Sequence, residues 1–336
     1  MRAAALVCDE RQRFRIADVL LPEPGPDQIA VRNLVSGVSI GTEFALIRGR
    51  LSWGPYPLCT GYMAVGVVTF AGAAVTGLRP GDLVYHRGQE RLALGDGGPL
   101  SAVSGGHASH AVLRPDAAYG AAPVPSGVSP EAASLFVPPA VGLFGVDMAG
   151  PRMGETVVVH GVGLVGLGVV AACAHRGCVV VAVDVAPGHL EIARRLGADH
   201  VVDARGADVA AEVRAVAPRG ADVVFECTGR PECVDAAVAL CRPDGAFVWQ
   251  GNYGSAPVPF AFLPAHGRRL RMYFPCDDGL QPCRRAVLAN MARGALRWEE
   301  TITHRVQCAG APALFERIRA GAEPEAVGVV IRWHSA

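Results

Sequence analysis

Lysine does not occur in this sequence of 336 residues, so all 31 side chains counted as Lys or Arg are arginines. Lysine amines form Schiff bases with carbonyl compounds and act as acids or bases when their pKa is lowered. Mechanisms of both kinds are therefore excluded. The 31 basic side chains are balanced by 31 acidic ones, and no net field attracts the chain to phosphate backbones or anionic lipid. We expect neither nucleic acid nor a membrane as a partner.

Long hydrophobic runs and closely spaced cysteine pairs are also missing. The N-terminal stretch MRAAALVCDERQRFRI returns to charged residues too soon for a signal peptide, and no later run approaches a membrane span in length. We therefore expect a cytoplasmic protein. The ten cysteines include no C-x-x-C pair, which argues against a zinc knuckle or a redox dithiol. Small buried thiols in a reducing compartment are the expected interpretation.

The pattern of predicted strands and helices changes once along the sequence, which predicts two domains. Up to about Phe136, short apolar strands are broken by Gly and Pro, as in LPEPGP and GDGGPLSAVSGG, a pattern typical of a compact β-barrel-like domain. Beyond it, apolar strands such as ETVVVHG alternate with helical patterns such as GHLEIARRLGA, which indicates a parallel sheet covered on both faces. We predict an α/β protein whose doubly wound sheet spans 139–269, while 1–138 and 270–336 form the other domain.

The sharpest motif opens the predicted second domain, in TVVVHGVGLVGLG. Gly161, Gly163 and Gly166 have the spacing G-x-G-x-x-G between a predicted strand and a helix, with Leu164 and Val165 before the last glycine. The first glycine allows a tight turn, the second allows a pyrophosphate to approach, and the third allows helix and strand to pack closely. The helix N-terminus then faces the anion. These five residues are predicted to bind a dinucleotide.

The type of dinucleotide is indicated by Asp184, which closes the next predicted strand about 20 residues further on. Its carboxylate would accept hydrogen bonds from ribose hydroxyls and repel a 2′-phosphate, which favours NAD over NADP. Later strands of the same sheet end in FECTGR and WQGNYG, where the crevice of an open α/β sheet lies. We therefore predict that Cys227, Thr228, Gly229 and Gly251 line the nicotinamide side.

Nearly the whole sequence resembles the medium-chain dehydrogenase/reductase superfamily. The resemblance rests on the stretches GTE, GYMAVG, LRPGDLV and GGHASHAVL, on the dinucleotide motif, and on the tail that begins ITH and ends in a strand. In that superfamily a GroES-like β-barrel domain precedes a Rossmann domain, and the final segment returns to the first domain. The resemblance implies a nicotinamide-dependent oxidoreductase. We expect a homodimer that acts on a small-molecule substrate.

Many members of that superfamily hold a catalytic zinc through a Cys in a C-G-[ST]-D stretch, a His in a G-H-E stretch, and a Cys or Glu ahead of the Rossmann strand. In this sequence the three positions fall on Ile40 or Ser39, on Tyr62, and near Val137, none of which is a good zinc ligand. The lobe for a structural zinc would lie within residues 85–110, where no cysteine occurs. We therefore expect no metal.

This pattern resembles a zinc-independent branch, closest to the bacteriochlorophyllide hydroxyethyl dehydrogenase-like group, which usually reads G-Y-E where Met63 stands here. Without zinc, hydrogen-bond donors and a proton acceptor must stabilise the reacting alkoxide. The resemblance puts Thr42 where a hydroxyl relays the substrate proton and Tyr62 where the zinc-binding His would project. Glu43 would accept a bond from Tyr62 or polarise Thr42. The alternatives are a Tyr62 that fills volume and a Glu43 bound by backbone amides near the end of an apolar strand.

Further side chains are weaker candidates. An apolar wall for a large or ring-shaped substrate is predicted from Phe44, Trp53, Tyr56 and Met63, with core packing as the equal alternative. His107 and His110 have a spacing that would suit a metal, but surface or core histidines are the expected interpretation. His160 precedes the first glycine of the motif and is a candidate for contact with the cofactor.

The sequence therefore predicts a zinc-independent NAD-dependent alcohol dehydrogenase or carbonyl reductase, acting on a secondary hydroxyl of a ring-bearing, cyclitol-like or sugar-like small molecule. One alternative is an NAD(P)H-dependent quinone or enoyl reductase, because zinc-free members of the superfamily include such enzymes. Asp184 counts against it, since such reductases commonly prefer NADPH. The other alternative is a non-catalytic nucleotide-binding sensor that kept the fold after losing zinc.

Overall fold

A computed structural model describes residues 1–102 and 104–334, which divide into two compact units. Unit 1 comprises Met1–Phe136 and the segment that begins at Ile302. Unit 2 is the continuous segment Val137–Thr301. The chain therefore leaves unit 1 once and returns to it near its end.

The described residues form helices and strands in three consecutive parts of the chain. The first part of the chain forms β1 (Arg2–Cys8), β2 (Phe14–Leu20), β3 (Ile29–Val38), α1 (Ile40–Ile47), β4 (Leu58–Cys59), β5 (Ala64–Ala71), β6 (Leu83–His86), β7 (Ala93–Leu94), β8 (Ser101–Ala102), β9 (His110–Leu113), β10 (Ala121–Pro123) and α2 (Pro130–Ser134). The middle part forms α3 (Val137–Ala149), β11 (Thr156–His160), α4 (Leu164–His175), β12 (Val179–Asp184), α5 (Pro187–Arg195), β13 (His200–Asp203), α6 (Val209–Val216), β14 (Ala221–Glu226), a 3₁₀ helix (Pro231–Cys233), α7 (Val234–Ala239), β15 (Cys241–Trp249), α8 (Phe262–Gly267), β16 (Arg271–Tyr273), α9 (Leu280–Ala292) and a 3₁₀ helix (Trp298–Thr301). The last part forms β17 (Ile302–Gln307), a 3₁₀ helix (Cys308–Gly310), α10 (Ala311–Arg319) and β18 (Gly328–Arg332).

Unit 1 is built on two sheets of mainly antiparallel strands. Within the described residues, one sheet has the order β7-β2-β1-β4-β8 and the other the order β10-β6-β5-β3-β18-β17, with β9 also paired to β3. Strand β18 lies antiparallel to β3, with Val330 opposite Gly37. The end of the chain is therefore an interior strand of this sheet, and its buried apolar residues join the core around Phe44 and Phe315.

Unit 2 is a parallel sheet with helices between its strands. The described strands follow the order β13-β12-β11-β14-β15-β16, which is the strand order of doubly wound dinucleotide-binding domains. The central strands are almost entirely apolar, and Val158, Val181 and Val224 are completely buried. Burial on both faces explains why these strands read as continuous apolar runs. The chain order reverses between β11 and β14, so a crevice is expected at their carboxyl ends.

The described units and the predicted domains differ at the return to the first domain. Residues 270–301 were predicted to belong to the first domain, but they lie in unit 2. The reason is that β16 extends the parallel sheet beside β15, with Met272 opposite Phe247, and α9 packs against α3. The tail that returns to unit 1 begins at Ile302.

The region of Thr42 and Glu43 also differs from the prediction, because these residues lie on helix α1 and not in an apolar strand. The Glu43 N–H donates to the Ser39 carbonyl at 2.9 Å, which is the bond of a first helical turn. Glu, Leu and Ala favour helices, and Glu is depleted in strands. The apolar residues of the segment are spaced to bury one helix face, which carries Phe44, Leu46 and Ile47.

Candidate active site

The glycine loop of unit 2 has the geometry of a dinucleotide cradle. Gly161 follows β11 with a φ of +91°, and a Cβ there would lie 2.8 Å from the Thr228 side chain. A Cβ on Gly166 would lie 2.0 Å from the Gly161 carbonyl oxygen, so the loop and α4 can pack only without a side chain. Gly163 caps the N-terminus of α4 and has open space where its Cβ would be. Its backbone is therefore free to be approached by a phosphate.

The first turn of α4 contains the remaining two predicted loop residues. Leu164 begins the helix and is buried, while Val165 is partly buried in the next position. The Leu167 N–H donates to the Gly163 carbonyl at 2.8 Å, so the helix is regular from its first turn. The N–H groups that precede it have no partner within a helix and point towards the loop, as in other anion-binding helix termini.

Asp184 ends β12 and anchors the glycine loop. Its Oδ2 atom accepts from the Val162 N–H at 2.7 Å, and its Oδ1 atom accepts from the N–H groups of Val185 at 2.7 Å and Ala186 at 3.0 Å. Burial raises the pKa of Asp184, but bonds from His189, Val162 and Ala186 outweigh it and lower the pKa below its usual value. The carboxylate is thus held in its ionised form.

The other predicted cofactor residues meet at the carboxyl ends of β14 and β15. The Cys227 N–H donates to the His160 carbonyl at 2.8 Å, which joins the ends of β14 and β11. A Cβ on Gly251 would lie 2.4 Å from the Gly229 nitrogen, and Gly229 has a φ of +64°. Thr228 lies against Gly161. The loops that follow β11, β14 and β15 are therefore packed together at the predicted crevice.

A buried carboxylate that was not predicted as a site residue lies under these loops. Glu226 is fully buried, and its Oε1 atom accepts from the Thr228 N–H at 3.1 Å and from the Thr228 hydroxyl. Its Oε2 atom accepts from the Tyr253 hydroxyl, whose pKa is raised by burial and by the Glu226 charge. The main-chain carbonyl of Glu226 accepts from the Gly251 N–H at 2.8 Å. One residue thus ties together the loops after β14 and β15. The only local signal was a glutamate ending the apolar strand ADVVFE.

His160 lies beside this carboxylate, whereas the sequence predicted only a contact with the cofactor. Its Nδ1 atom is 3.6 Å from Glu226 Oε1. Within residues 1–102 and 104–334, one group of three or more potential metal ligands lies within 4.8 Å of each other, namely His160, Glu226 and Cys233. Both carboxylate oxygens of Glu226 already accept hydrogen bonds from Thr228 or Tyr253. His160 Nδ1, in contrast, is buried without a hydrogen-bond partner among the described residues.

In unit 1, Tyr62 lies on the connection between β4 and β5 and is 8% exposed. The side chains of Ser39 and Thr42, at the start of α1, lie close enough to its hydroxyl to lower its pKa. The guanidinium of Arg87 stacks on the Tyr62 ring at 5.1 Å and on the Tyr119 ring at 4.5 Å. Burial raises the pKa of Tyr62 above its usual value, against the opposing effect of Ser39 and Thr42. The phenol is therefore held in its neutral form beside two hydroxyl groups.

Glu43 has different partners from those predicted. Its Oε1 atom accepts from the Ser39 N–H at 2.8 Å, and its Oε2 atom lies 2.8 Å from His107 Nε2. Glu43 was predicted to accept a bond from Tyr62 or to polarise Thr42. Its partners are instead a backbone amide and an imidazole. The backbone amide corresponds to the structural alternative for Glu43, although at the start of a helix. Glu43 still contributes a charge that raises the pKa of Tyr62.

His107 extends this contact into a buried chain of hydrogen bonds. Its Nδ1 atom lies 2.9 Å from Ser36 Oγ, and the Trp333 Nε1–H donates to the same oxygen at 2.9 Å. Because a carboxylate only accepts, the chain is satisfied when Nε2–H donates to Glu43 and the Ser36 hydroxyl donates to Nδ1. His107 is thus a core histidine, one of the two interpretations expected for it. Neither Glu43 nor His107 is exposed.

The predicted apolar wall divides into buried and accessible residues. Phe44 and Met63 are 2% and 0% exposed, and the Phe44 ring lies 5.5 Å from the Phe315 ring, so neither offers a surface within unit 1. Tyr56 packs against the same core and donates its hydroxyl to the Ile47 carbonyl at 2.7 Å. Trp53 is 46% exposed and is the most accessible of the four.

The residues at the family's zinc positions do not fit a zinc ion. Ser39 and Ile40 start α1, and Tyr62 is a buried phenol. No thiolate, imidazole or carboxylate stands at any of the three positions, and these are the ligands that zinc takes in proteins. The imidazole of His107 and the carboxylate of Glu43 are bound to each other.

A doubly wound sheet with a glycine cradle is the architecture of a dinucleotide-binding domain, and here it is joined in one chain to a unit of antiparallel sheets. The chain belongs to the zinc-binding dehydrogenase family of the medium-chain dehydrogenase/reductase superfamily. Residues 165–292 match the family model described as zinc-binding dehydrogenase. The chain is 30% identical over 329 residues to 2-desacetyl-2-hydroxyethyl bacteriochlorophyllide A dehydrogenase of Rhodobacter capsulatus, covering 94% of this chain and 93% of that protein.

Two further similarities support the same family. An alcohol dehydrogenase of Cupriavidus necator is 29% identical over 327 residues, covering 85% of this chain and 87% of the relative. Among solved structures, alcohol dehydrogenase TADH from Thermus sp. ATN1 has a TM-score of 0.83 at 25% identity, covering 98% and 99% of the two chains. A protein from Sinorhizobium meliloti 1021, described as a zinc-binding dehydrogenase and solved bound to NADP, has a TM-score of 0.84 at 25% identity, covering 99% of both chains.

These comparisons confirm the predicted resemblance and the predicted fold class, a GroES-like β-barrel domain plus a Rossmann domain. They support an oxidoreductase that uses a nicotinamide cofactor. Within the described part of the chain, no helix combines the length and the apolar character that crossing a membrane requires.

Proposed function

We propose that this protein is an NAD-dependent dehydrogenase that transfers hydride between nicotinamide and a secondary alcohol or ketone without a catalytic zinc. Its substrate is a ring-bearing, cyclitol-like or sugar-like small molecule. The observation that carries the proposal is the buried Tyr62 phenol beside Ser39 and Thr42, at the position where zinc-dependent relatives have a metal ligand. The relatives named above as alcohol and hydroxyethyl bacteriochlorophyllide dehydrogenases support a hydroxyl-bearing substrate.

Binding of NAD is assigned to unit 2. Gly161, Gly163 and Gly166 would hold the pyrophosphate at the N-terminus of α4, together with the adjoining Leu164 and Val165 backbone. Asp184 would accept from ribose hydroxyls and repel a 2′-phosphate, which gives the preference for NAD.

The loops after β14 and β15 would enclose the nicotinamide end, through Cys227, Thr228, Gly229 and Gly251. Bound nicotinamide supplies a hydride donor or acceptor, and the chain supplies orientation and a proton. Glu226 fixes both loops and therefore acts as a positioning residue.

The proton that accompanies hydride transfer is assigned to Tyr62. Because burial raises its pKa, the neutral phenol is the dominant form, and donating a proton to the carbonyl oxygen during ketone reduction is favoured. The hydroxyls of Ser39 and Thr42 would return a proton to the phenolate. Arg87 over the ring stabilises the phenolate while it exists. Glu43 acts on this group only through its charge.

The decisive experiment combines a substrate panel with metal analysis of the untagged protein. Secondary alcohols and ketones on carbocyclic and sugar rings are assayed with NAD(H) and NADP(H), before and after treatment with a chelator. We expect turnover with NAD(H), no stoichiometric zinc, and no loss with the chelator. Stoichiometric zinc with chelator-sensitive activity would contradict the zinc-independent mechanism. Tight NAD binding without turnover would favour a non-catalytic sensor. NADPH-dependent reduction of quinones or enoyl compounds would favour a quinone or enoyl reductase.

A homodimer formed through the edge of the unit 2 sheet completes the proposal. Within the described residues, β16 pairs only with β15, and such an open edge is a template for another strand. Large apolar side chains near that edge are exposed, including Phe262 (62%), Leu263 (75%) and Phe274 (66%). We expect light scattering to give twice the chain mass, and Phe274→Asp to shift the mass towards that of one chain. A monomer in the unaltered protein would exclude this dimer.

A further inference from the structure

Cys173 and Cys178 occupy the two ends of the turn that closes helix α4. The Cys178 N–H donates to the Cys173 carbonyl at 3.1 Å, and the Gly177 N–H donates to the Ala174 carbonyl at 2.9 Å. Gly177 has a φ of +77°. The bond between residues 173 and 178 encloses the bond between residues 174 and 177, and the turn is closed by a glycine in the left-handed region. This pattern is a Schellman cap.

A Schellman cap brings two particular side chains together, one from the last turn of the helix and one just beyond the glycine. In most proteins this is an apolar contact. Here the two residues are Cys173 and Cys178, and each thiol shifts the pKa of the other. Their exposed fractions are 0% and 6%. The backbone of the cap therefore already holds the two sulfur atoms as neighbours.

The two thiols differ in chemical character. The interaction between them raises the pKa of Cys173 well above its usual value and lowers that of Cys178, and Arg176 contributes to lowering the latter. Cys178 is the less buried of the two thiols, and its Sγ atom is 3.5 Å from the Arg152 carbonyl. It is therefore the thiol that ionises first and that a small oxidant meets first.

We propose that Cys173 and Cys178 form a redox-modification site that closes to a disulfide when the protein meets hydrogen peroxide. The Cys178 thiolate attacks one peroxide oxygen, the O–O bond breaks, and the departing hydroxide takes a proton to become water. The Cys173 sulfur then attacks the resulting sulfenic acid at sulfur, the S–O bond breaks, and a second water leaves. Two thiols and one hydrogen peroxide thus give one disulfide and two waters. Both sulfurs are oxidised and the peroxide is reduced.

The disulfide would link the last turn of α4 to the residue before β12. The first turn of α4 follows the glycine loop, and β12 ends at Asp184. The modification therefore lies at the far ends of the two elements that carry the candidate dinucleotide site. It goes beyond the proposed function and does not depend on it.

Tryptic digestion gives a direct test, because Arg176 stands between the two cysteines. Cleavage yields the peptides 153–176 and 177–194, each of which contains one cysteine. The folded full-length protein is reduced, desalted, exposed to hydrogen peroxide, alkylated and digested without reductant. We expect the two peptides to appear as one linked species lacking two hydrogen atoms, and to separate again after treatment with dithiothreitol.

The controls distinguish this pair from general cysteine oxidation. Cys276 is exposed and reports that peroxide has reacted with the protein. Cys173→Ala and Cys178→Ala should each abolish the linked species, whereas Cys241→Ala, which alters another buried thiol of unit 2, should retain it. The proposal is wrong if both peptides stay separate and reduced in the folded protein while Cys276 is oxidised. It is also wrong if the link forms only after unfolding in urea.

Discussion

The Nε2 atom of His107 lies 2.8 Å from Oε2 of Glu43, and both side chains are completely buried. The other oxygen of Glu43 accepts from the N–H of Ser39, whose side chain lowers the pKa of Tyr62. Glu43 therefore holds Ser39 in place beside the candidate proton donor, and His107 in turn contacts Glu43. We expect Glu43 and His107 to stabilise this region without contacting the substrate.

Replacing Glu43 by Gln tests the supporting role. One amide oxygen can accept from Ser39, but the amide N–H₂ then faces the donor Nε2–H of His107. We expect a loss of about 1–3 kcal/mol in the free energy of unfolding, because a buried donor loses its acceptor. Urea denaturation measures it. Glu10→Gln, which alters an exposed carboxylate, should change stability little. If the Glu43→Gln protein is as stable as the parent, Nε2 of His107 carries no hydrogen and accepts a hydrogen bond from residue 43.

Replacing Tyr62 by Phe tests the proton donor. The change removes only the hydroxyl and leaves the ring under Arg87. We expect kcat to fall on the order of 10²-fold while the Kd for NAD is unchanged. Thr42→Val should lower kcat in the same direction. Tyr119→Phe is the matched control, because that ring also stacks on Arg87 but is exposed. If all three variants turn over like the parent, Tyr62 only fills space.

Replacing Asp184 by Ser tests the choice of cofactor. The carboxylate both holds the Val162 N–H and would repel a 2′-phosphate. We expect about tenfold weaker binding of NAD, corresponding to the loss of a charged hydrogen bond, and tighter binding of NADP. Titration of both cofactors by fluorescence gives the two affinities. A variant that loses affinity for both would show only a loosened glycine loop, and equal affinities in the parent would contradict the assignment of NAD.

The buried His86 predicts that the stability of unit 1 decreases in acid. Burial lowers its pKa from 6.5 to about 4, against the opposing effect of its bond to the Gly88 carbonyl. Between these values the unfolded chain binds a proton that the folded chain does not, so stability falls as the pH drops from 6.5 towards 4. One such group contributes a slope of at most about 1.4 kcal/mol per pH unit. Urea denaturation across this range should give a smaller slope for His86→Gln.

The exposed His200 supplies the control for that measurement. His200→Gln should keep the slope of the parent, because its side chain is exposed and the change alters no buried group. Equal slopes for the parent and His86→Gln would show that the buried ring is protonated without loss of the fold.

The Rossmann half was predictable because its signals are local. The contact of Gly166 with the Gly161 carbonyl arises within one turn of the chain, and continuous apolar strands follow from burial on both faces. The edge of the same sheet was not predictable, because β16 has only three residues and begins with an exposed arginine. Its place beside β15 is determined by packing across the domain and not by its own pattern.

The buried hydrogen-bond chain near Tyr62 could not be predicted from the sequence for a different reason. Glu43 and His107 are 64 residues apart, and Ser36 and Trp333 are 297 apart, so no local spacing connects them. The sequence marked Tyr62 and Thr42 only through the resemblance to a family. Helix α1 was missed because its apolar residues are β-compatible over a short run, whereas the bond from Ser39 to Glu43 fixes the helical turn.

The position of β18 between β3 and β17 has a consequence for the order of events on the ribosome. Unit 2 is continuous in sequence and can fold as soon as Thr301 has emerged. Unit 1 cannot complete its larger sheet until Gly328–Arg332 have been synthesised, although the first strand of that sheet, Ile29–Val38, was made about 300 residues earlier. Trp333 then closes the hydrogen-bond chain through Ser36. The buried chain that runs from Trp333 to Glu43 is thus among the last parts of the nascent protein to form, and a ribosome that stops short releases a chain in which unit 2 is whole and His107 lacks this support.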